Sequence, residues 1–82
     1  MPLYMDVHHV GEVSLDDVAK AHAADLATQD AFNVNYQSYW VDEANGTIFC
    51  LVEAPDPEAA HSVHRKAHGL VADEIHEVRA GT

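Results

Sequence analysis

The sequence predicts an α+β fold with elements in the order βαββαβ, and three observations predict it. Apolar residues recur with period two in three stretches rich in β-branched and aromatic side chains. Two other stretches carry helical periodicity behind clear N-terminal caps, and an Asn-Gly pair sits between the two middle strands. With 82 residues, the expectation is a single domain spanning 1–82 with one modest core.

Taken in order, Leu3, Met5, Val7 and His9 alternate with Tyr4, Asp6 and His8, which predicts a first strand with one apolar and one polar face. The apolar parity is expected to lie under the helices, carrying His9 inward. Ser14 with Asp17 three residues on forms a capping-box-like start, and Asp16 and Asp17 suit the positive end of the helix dipole. The predicted buried stripe of this first helix is Leu15, Val18, Ala19, His22 and Leu26, ending near Thr28. Residues 32–42 read as a second strand, Asn45-Gly46 as the hairpin turn, and the nearly continuous apolar run 47–53 as a central strand covered on both faces. Asp56 caps a second helix with Pro57 in its first turn; the helix runs to about His68 and stops at Gly69. Residues 71–79 read as the closing strand. Two right-handed split β-α-β crossovers then give an antiparallel sheet ordered 4-1-3-2 with both helices on one face. Apolar side chains on both parities of 47–53, with Tyr39 and Trp40 beside them, leave the other face in need of cover, and a symmetric homodimer supplies it.

Charge narrows the function. Four Lys and Arg against fourteen Asp and Glu give −10, a surface that repels nucleic acid and anionic membrane and attracts cations. Neither a secretory signal nor a membrane-spanning run is visible, so a cytoplasmic location is expected. The single Cys50 cannot make an internal disulfide and reads as a small core residue.

Seven histidines in so short a chain are the chemical signature. His64 and His68 share a helix face at a spacing of four, and His22 shares one with Asp25 at a spacing of three. The topology gathers His8, His9 and His68 with Asp73 and Glu74 at one end of the fold. Asp6 and His8 share the polar strand face, expected to be the open one, where with His76 they would form a second site. Neutral imidazoles and a carboxylate suit a divalent first-row metal, whose binding would be lost as the rings protonate near the ordinary imidazole range. The same groups also serve as core histidines satisfied by carboxylates, and the residues alone leave both readings open. H-E-x-x-H, C-x-x-C, G-x-G-x-x-G and P-loop motifs are missing, so the usual enzyme signatures are absent.

Four segments, YMDVHH, AHAADL, IFCLVEAP and HRKAHGLVADEIHEV, together resemble a group of small bacterial nickel-binding proteins first catalogued as domain-of-unknown-function family 4242. The resemblance implies a ferredoxin-like fold, pairing of two sheets into a dimeric α+β barrel, and nickel binding. The positions that match its motifs are His8, His9, His22, Asp25, His64 and His68. The expected function is therefore binding of a divalent transition metal, nickel by resemblance, for sequestration or homeostasis; imidazole chemistry alone equally admits zinc, copper or cobalt. A small dimeric barrel enzyme using His/Asp acid–base chemistry and a regulatory or stress-associated dimer with structural histidines are the alternatives.

Overall fold

A computed structural model describes residues 1–81. Its elements are β1 (Leu3–His9), α1 (Leu15–Thr28), a 3-10 turn (Gln29–Phe32), β2 (Asn35–Asp42), β3 (Thr47–Glu53), α2 (Pro57–Ala67) and β4 (Glu74–Glu77). The four strands form one antiparallel sheet ordered β2-β3-β1-β4, the order expected from the sequence, and the arrangement is ferredoxin-like.

Both helices start where their caps place them. Ser14 Oγ accepts the Asp17 amide at 3.2 Å, and Asp56 Oδ1 accepts the Ala59 amide at 2.8 Å with Pro57 at the first helical position. α2 ends as the His68 and Gly69 amides both donate to the His64 carbonyl, with Gly69 at φ +83. Between β2 and β3, Asp42 holds the Asn45 amide and side chain, and Gly46 at φ +61 lies against Gly11 so closely that a Cβ would fall 1.6 Å from its carbonyl oxygen. The Val10 amide donates to Gly46 O at 2.9 Å, tying the end of β1 to the hairpin.

Three local expectations are corrected. β2 begins at Asn35 rather than at position 32, because Gln29–Phe32 closes a 3-10 turn that ends on Asn33 in the left-handed region. β4 is four residues long rather than nine; β1 offers it partners only from Tyr4 to Val7, and single amide bonds from Asp73 to Val7 and from Val78 to Leu3 flank the ladder. On α1 the buried side chains are Val18 and Asp25, while Leu15 and Leu26 are about half exposed. The helix is rotated so that a carboxylate, not a leucine, enters the core.

The most consequential correction concerns strand parity. Tyr4, Asp6 and His8 are the β1 residues under the helices, opposite Val52, Cys50 and Ile48, and His9 is exposed. The polar parity is inside because partners await it there. Met5, Val7, Phe49, Leu51 and Trp40 share the other face of the sheet through their register. A bulge between Tyr36 and Ser38 lets Tyr36 and Tyr39, three residues apart, both face the helices.

Candidate metal centre

The centre is built outward from His64. Position 64 lies on the inner face of α2 beside Ala60 and Val63, so its imidazole enters the core, where it is 1% exposed. Nε2 reaches Asp6 Oδ2 on β1 at 2.9 Å, and Nδ1 reaches Asp25 Oδ1 on α1 at 2.9 Å. With a carboxylate on each ring nitrogen, the ring donates on both sides, which only the imidazolium can do. Burial alone would lower its pKa, but the bonds to Asp25 and Asp6 outweigh burial and push it up to about 9. His64 thus joins α2 to β1 and α1 through a buried Asp–His–Asp bridge.

Asp6 is the most heavily bonded member. Its Oδ1 accepts from His8 Nε2 at 3.1 Å, and its Oδ2 accepts from the Tyr36 hydroxyl at 2.9 Å as well as from His64. Burial would raise its pKa; the hydrogen bonds from His64 and His8 reverse the sign and hold it well below the carboxylate range. Asp6 in turn, after burial itself, pushes the Tyr36 phenol and the Cys50 thiol upward, so both stay protonated.

His68, one turn beyond His64, places Nε2 3.1 Å from Asp25 Oδ1 and 3.2 Å from His64 Nδ1. The Leu70 amide donates to its Nδ1 at 3.1 Å, which fixes the ring proton on Nε2, toward Asp25. Burial, the largest influence, lowers its pKa and favours the neutral ring. His8 and His68 both stand with their ring centroids 4.9 Å from that of His64, and Tyr36 stands at 4.6 Å.

Of the six sequence-derived positions, His8, Asp25, His64 and His68 meet in this network. His22 lines a small cavity that these four also line, with its ring on Tyr39, 4.7 Å between centroids. His9 does not join them. It lies on the opposite face, donating through its amide to Asp73 at 2.6 Å and meeting Glu74 Oε2 through Nε2 at 2.7 Å; His76 meets the other Glu74 oxygen at 3.2 Å. The bond from His9, then that from His76, lowers the pKa of Glu74. Of the groups expected at one end of the fold, His9 therefore gathers with Asp73 and Glu74, while His8 and His68 gather beneath the helices. The pairing of Asp6 and His8 in an open-face site is likewise corrected, since both are buried on the helix side.

Sequence reasoning underrated Asp6 and missed Tyr36. The alternation of β1 put Asp6 and His8 on one side, but nothing local said which side would be buried. Tyr36 carries no signal beyond its place in an aromatic-rich strand.

Among the described residues, two groups bring potential ligand atoms within 4.8 Å of one another: Asp25, His64 and His68, and Asp6, His8, Cys50 and His64. The first fits a metal better. Its three atoms form a triangle with edges of 2.9, 3.1 and 3.2 Å. Ligand bonds of about 2.1 Å from imidazole or carboxylate place neighbouring ligand atoms about 3.0 Å apart at right angles and about 3.4 Å apart in a tetrahedron, so the triangle suits ligands near right angles. The second group needs a thiol that burial keeps protonated and a carboxylate already taken by three donors.

An antiparallel ferredoxin-like sheet with a buried His/Asp centre between sheet and helices defines a small α+β protein with potential metal-binding groups. Residues 4–78 match the model of the family described as "Nickel responsive protein SCO4226-like", and the chain belongs to that family. A solved structure, described as the crystal structure analysis of SCO4226 from Streptomyces coelicolor A3(2), is 44% identical with a TM-score of 0.90, over 98% of this chain and 99% of that one. No curated protein matches the chain.

Proposed function

We propose that the chain binds a divalent transition metal, nickel, through Asp25, His64 and His68, and serves metal sequestration or homeostasis as a homodimer. The observation that carries the reading is the triangle of two imidazole nitrogens and one carboxylate oxygen with edges near 3 Å. The nickel-responsive family supports the choice of metal. The charge of −10 supports it further, since that field concentrates cations.

Loading such a site is a proton exchange. His64 holds a proton up to about pH 9, so a cation entering at neutral pH displaces it. Affinity therefore rises with pH through 7 and 8 towards 9, higher than the ordinary imidazole range expected from sequence. His68 coordinates through Nε2 only if its proton moves to Nδ1 and the Leu70 amide turns away; Gly69 between them supplies the backbone freedom. Calorimetric titration of nickel at neutral pH in buffers of different ionisation enthalpy tests this. About one proton released per nickel bound, with the Leu70 amide resonance shifting during titration, is the expected result. Saturable binding that survives replacement of both Asp25 and His68 would remove the centre from these residues.

The homodimer reading rests on the sheet face away from the helices, where Met5, Val7, Phe49, Leu51 and Trp40 lie together with Trp40 half exposed. A second copy placed sheet to sheet covers that surface.

A further inference from the structure

The cavity beside Asp25 continues outward. An inner chamber of about 30 Å³ is bordered by Asp25, His22, Tyr39 and His68. It adjoins an outer groove of about 200 Å³ beside the start of α1, and Val18, Ala21, Ile48 and Leu70 line both. A cavity of about 150 Å³ accepts a benzene ring, and one of about 10–15 Å³ already holds a water-sized group. The outer groove is therefore sized for a ring or branched hydrocarbon, and the inner chamber for one small polar head.

Charge identifies the head. The charged residues lining the outer groove are Glu12 and Asp17; the inner chamber has Asp25 with the His64 imidazolium on its Oδ1, and neither space is lined by Lys or Arg. Asp25 is 3% exposed, and its contacts with His64 and His68 both use Oδ1, leaving Oδ2 outside those contacts. Tyr39, held against His22, adds an aromatic wall of the kind that attracts organic cations.

We propose that these two chambers bind a small organic ammonium ion, with its apolar body between α1 and Leu70 and its ammonium group on Asp25 Oδ2. An organic anion would meet Glu12 and Asp17 in the outer groove and then Asp25, whose charge is only partly offset by a His64 imidazolium shared with Asp6, on a chain of charge −10. A neutral hydrocarbon would bury a carboxylate oxygen without a donor. A bare metal ion would leave the outer groove unused. The site does not depend on the metal reading, but it shares Asp25 with it, so amine and metal exclude each other.

The test uses the full chain stripped of metal by a chelator, with 2-phenylethylamine, 2-phenylethanol and phenylacetate as probes at neutral pH. Calorimetry and amide resonances should show saturable amine binding that perturbs Val18, Ala21, His22 and Leu70. The alcohol should bind at least about tenfold more weakly, the scale of one charge-assisted hydrogen bond, and phenylacetate should not bind. Asp25→Asn should weaken the amine at least about tenfold. Because that variant also disturbs His64, Ala21→Phe provides a second arm: it fills the shared wall from α1, leaves the carboxylate in place, and should abolish binding. Equal affinity for amine and alcohol, binding of phenylacetate, perturbations confined elsewhere, or no saturable amine binding would each overturn the proposal. Nickel added to the amine complex separates the two readings. Displacement supports both; nickel uptake without amine binding sinks the amine site alone; amine binding unaffected by nickel sinks the metal centre alone.

Discussion

His64 makes the acid–base behaviour of the chain a property of folding. Its proton affinity rises on folding, so its contribution to stability is fully present below the ordinary imidazole pKa of about 6.5 and is lost as pH climbs to about 9. Asp6 has the opposite sign. Its folded pKa is depressed, so its contribution is present above the ordinary value of about 3.9 and is lost as pH falls below it. The metal-free chain should therefore be most stable between about pH 4 and 6.5 as far as these two groups govern it. Thermal melts in chelator across that range should show a falling midpoint from pH 6.5 to 9, and His64→Gln should flatten that limb. A flat midpoint in the native protein would contradict the buried imidazolium. Tyr36→Phe removes one of three donors on a fully buried carboxylate and should cost about 1.5–3 kcal/mol in a denaturant titration.

Among the elements, the end of α2 and the β2–β3 hairpin carry the sharpest expectations. His68 caps α2 and is only partly buried, and its ring faces Asp25. His68→Ala should weaken nickel binding at least about tenfold, while the metal-free melting point moves by the equivalent of less than about 1 kcal/mol. Unchanged affinity with a lowered melting point would make His68 a cap and nothing more. Gly46 is constrained twice, by φ +61 and by the Gly11 carbonyl where its Cβ would stand. Gly46→Ala should cost at least about 2 kcal/mol, because either the hairpin or the end of β1 must move. Gly69→Ala meets no neighbour and bears only the left-handed backbone strain, about 1 kcal/mol, so the two variants compared in one denaturant series separate collision from strain.

At the scale of the molecule, the proposed homodimer rests on the open sheet face. Trp40 lies on it at 51% exposure, and it pairs in register with Phe49 on the central strand β3. Sedimentation at micromolar concentration should give a dimer, with Trp40 fluorescence shifted to the blue relative to a Trp40→Glu variant that sediments as a monomer. A monomeric native chain with water-exposed Trp40 emission would dispose of the sheet-to-sheet pairing. A dimer unaffected by Trp40→Glu would move the interface to another surface.

The sequence by itself determined the order of elements, both helix caps and the turn at Asn45-Gly46, because each depends on signals within a few residues, and the sheet order followed from that element order through the handedness of the crossovers. It also brought His64 together with His68, which helical spacing alone requires. Tertiary structure alone decided which face of β1 is inside. Alternation says that Asp6 and His8 share a side, and local preference for burying Leu3, Met5 and Val7 points the wrong way. Two donors from other elements overrule that preference, His64 from α2 and Tyr36 from β2, and His8, carried inward on the same strand as Asp6, supplies a third. The rotation of α1 that buries Asp25 and exposes Leu26 has the same cause. A charge enters a core only where an opposite charge is already waiting, and a residue's sequence neighbours do not reveal that partner.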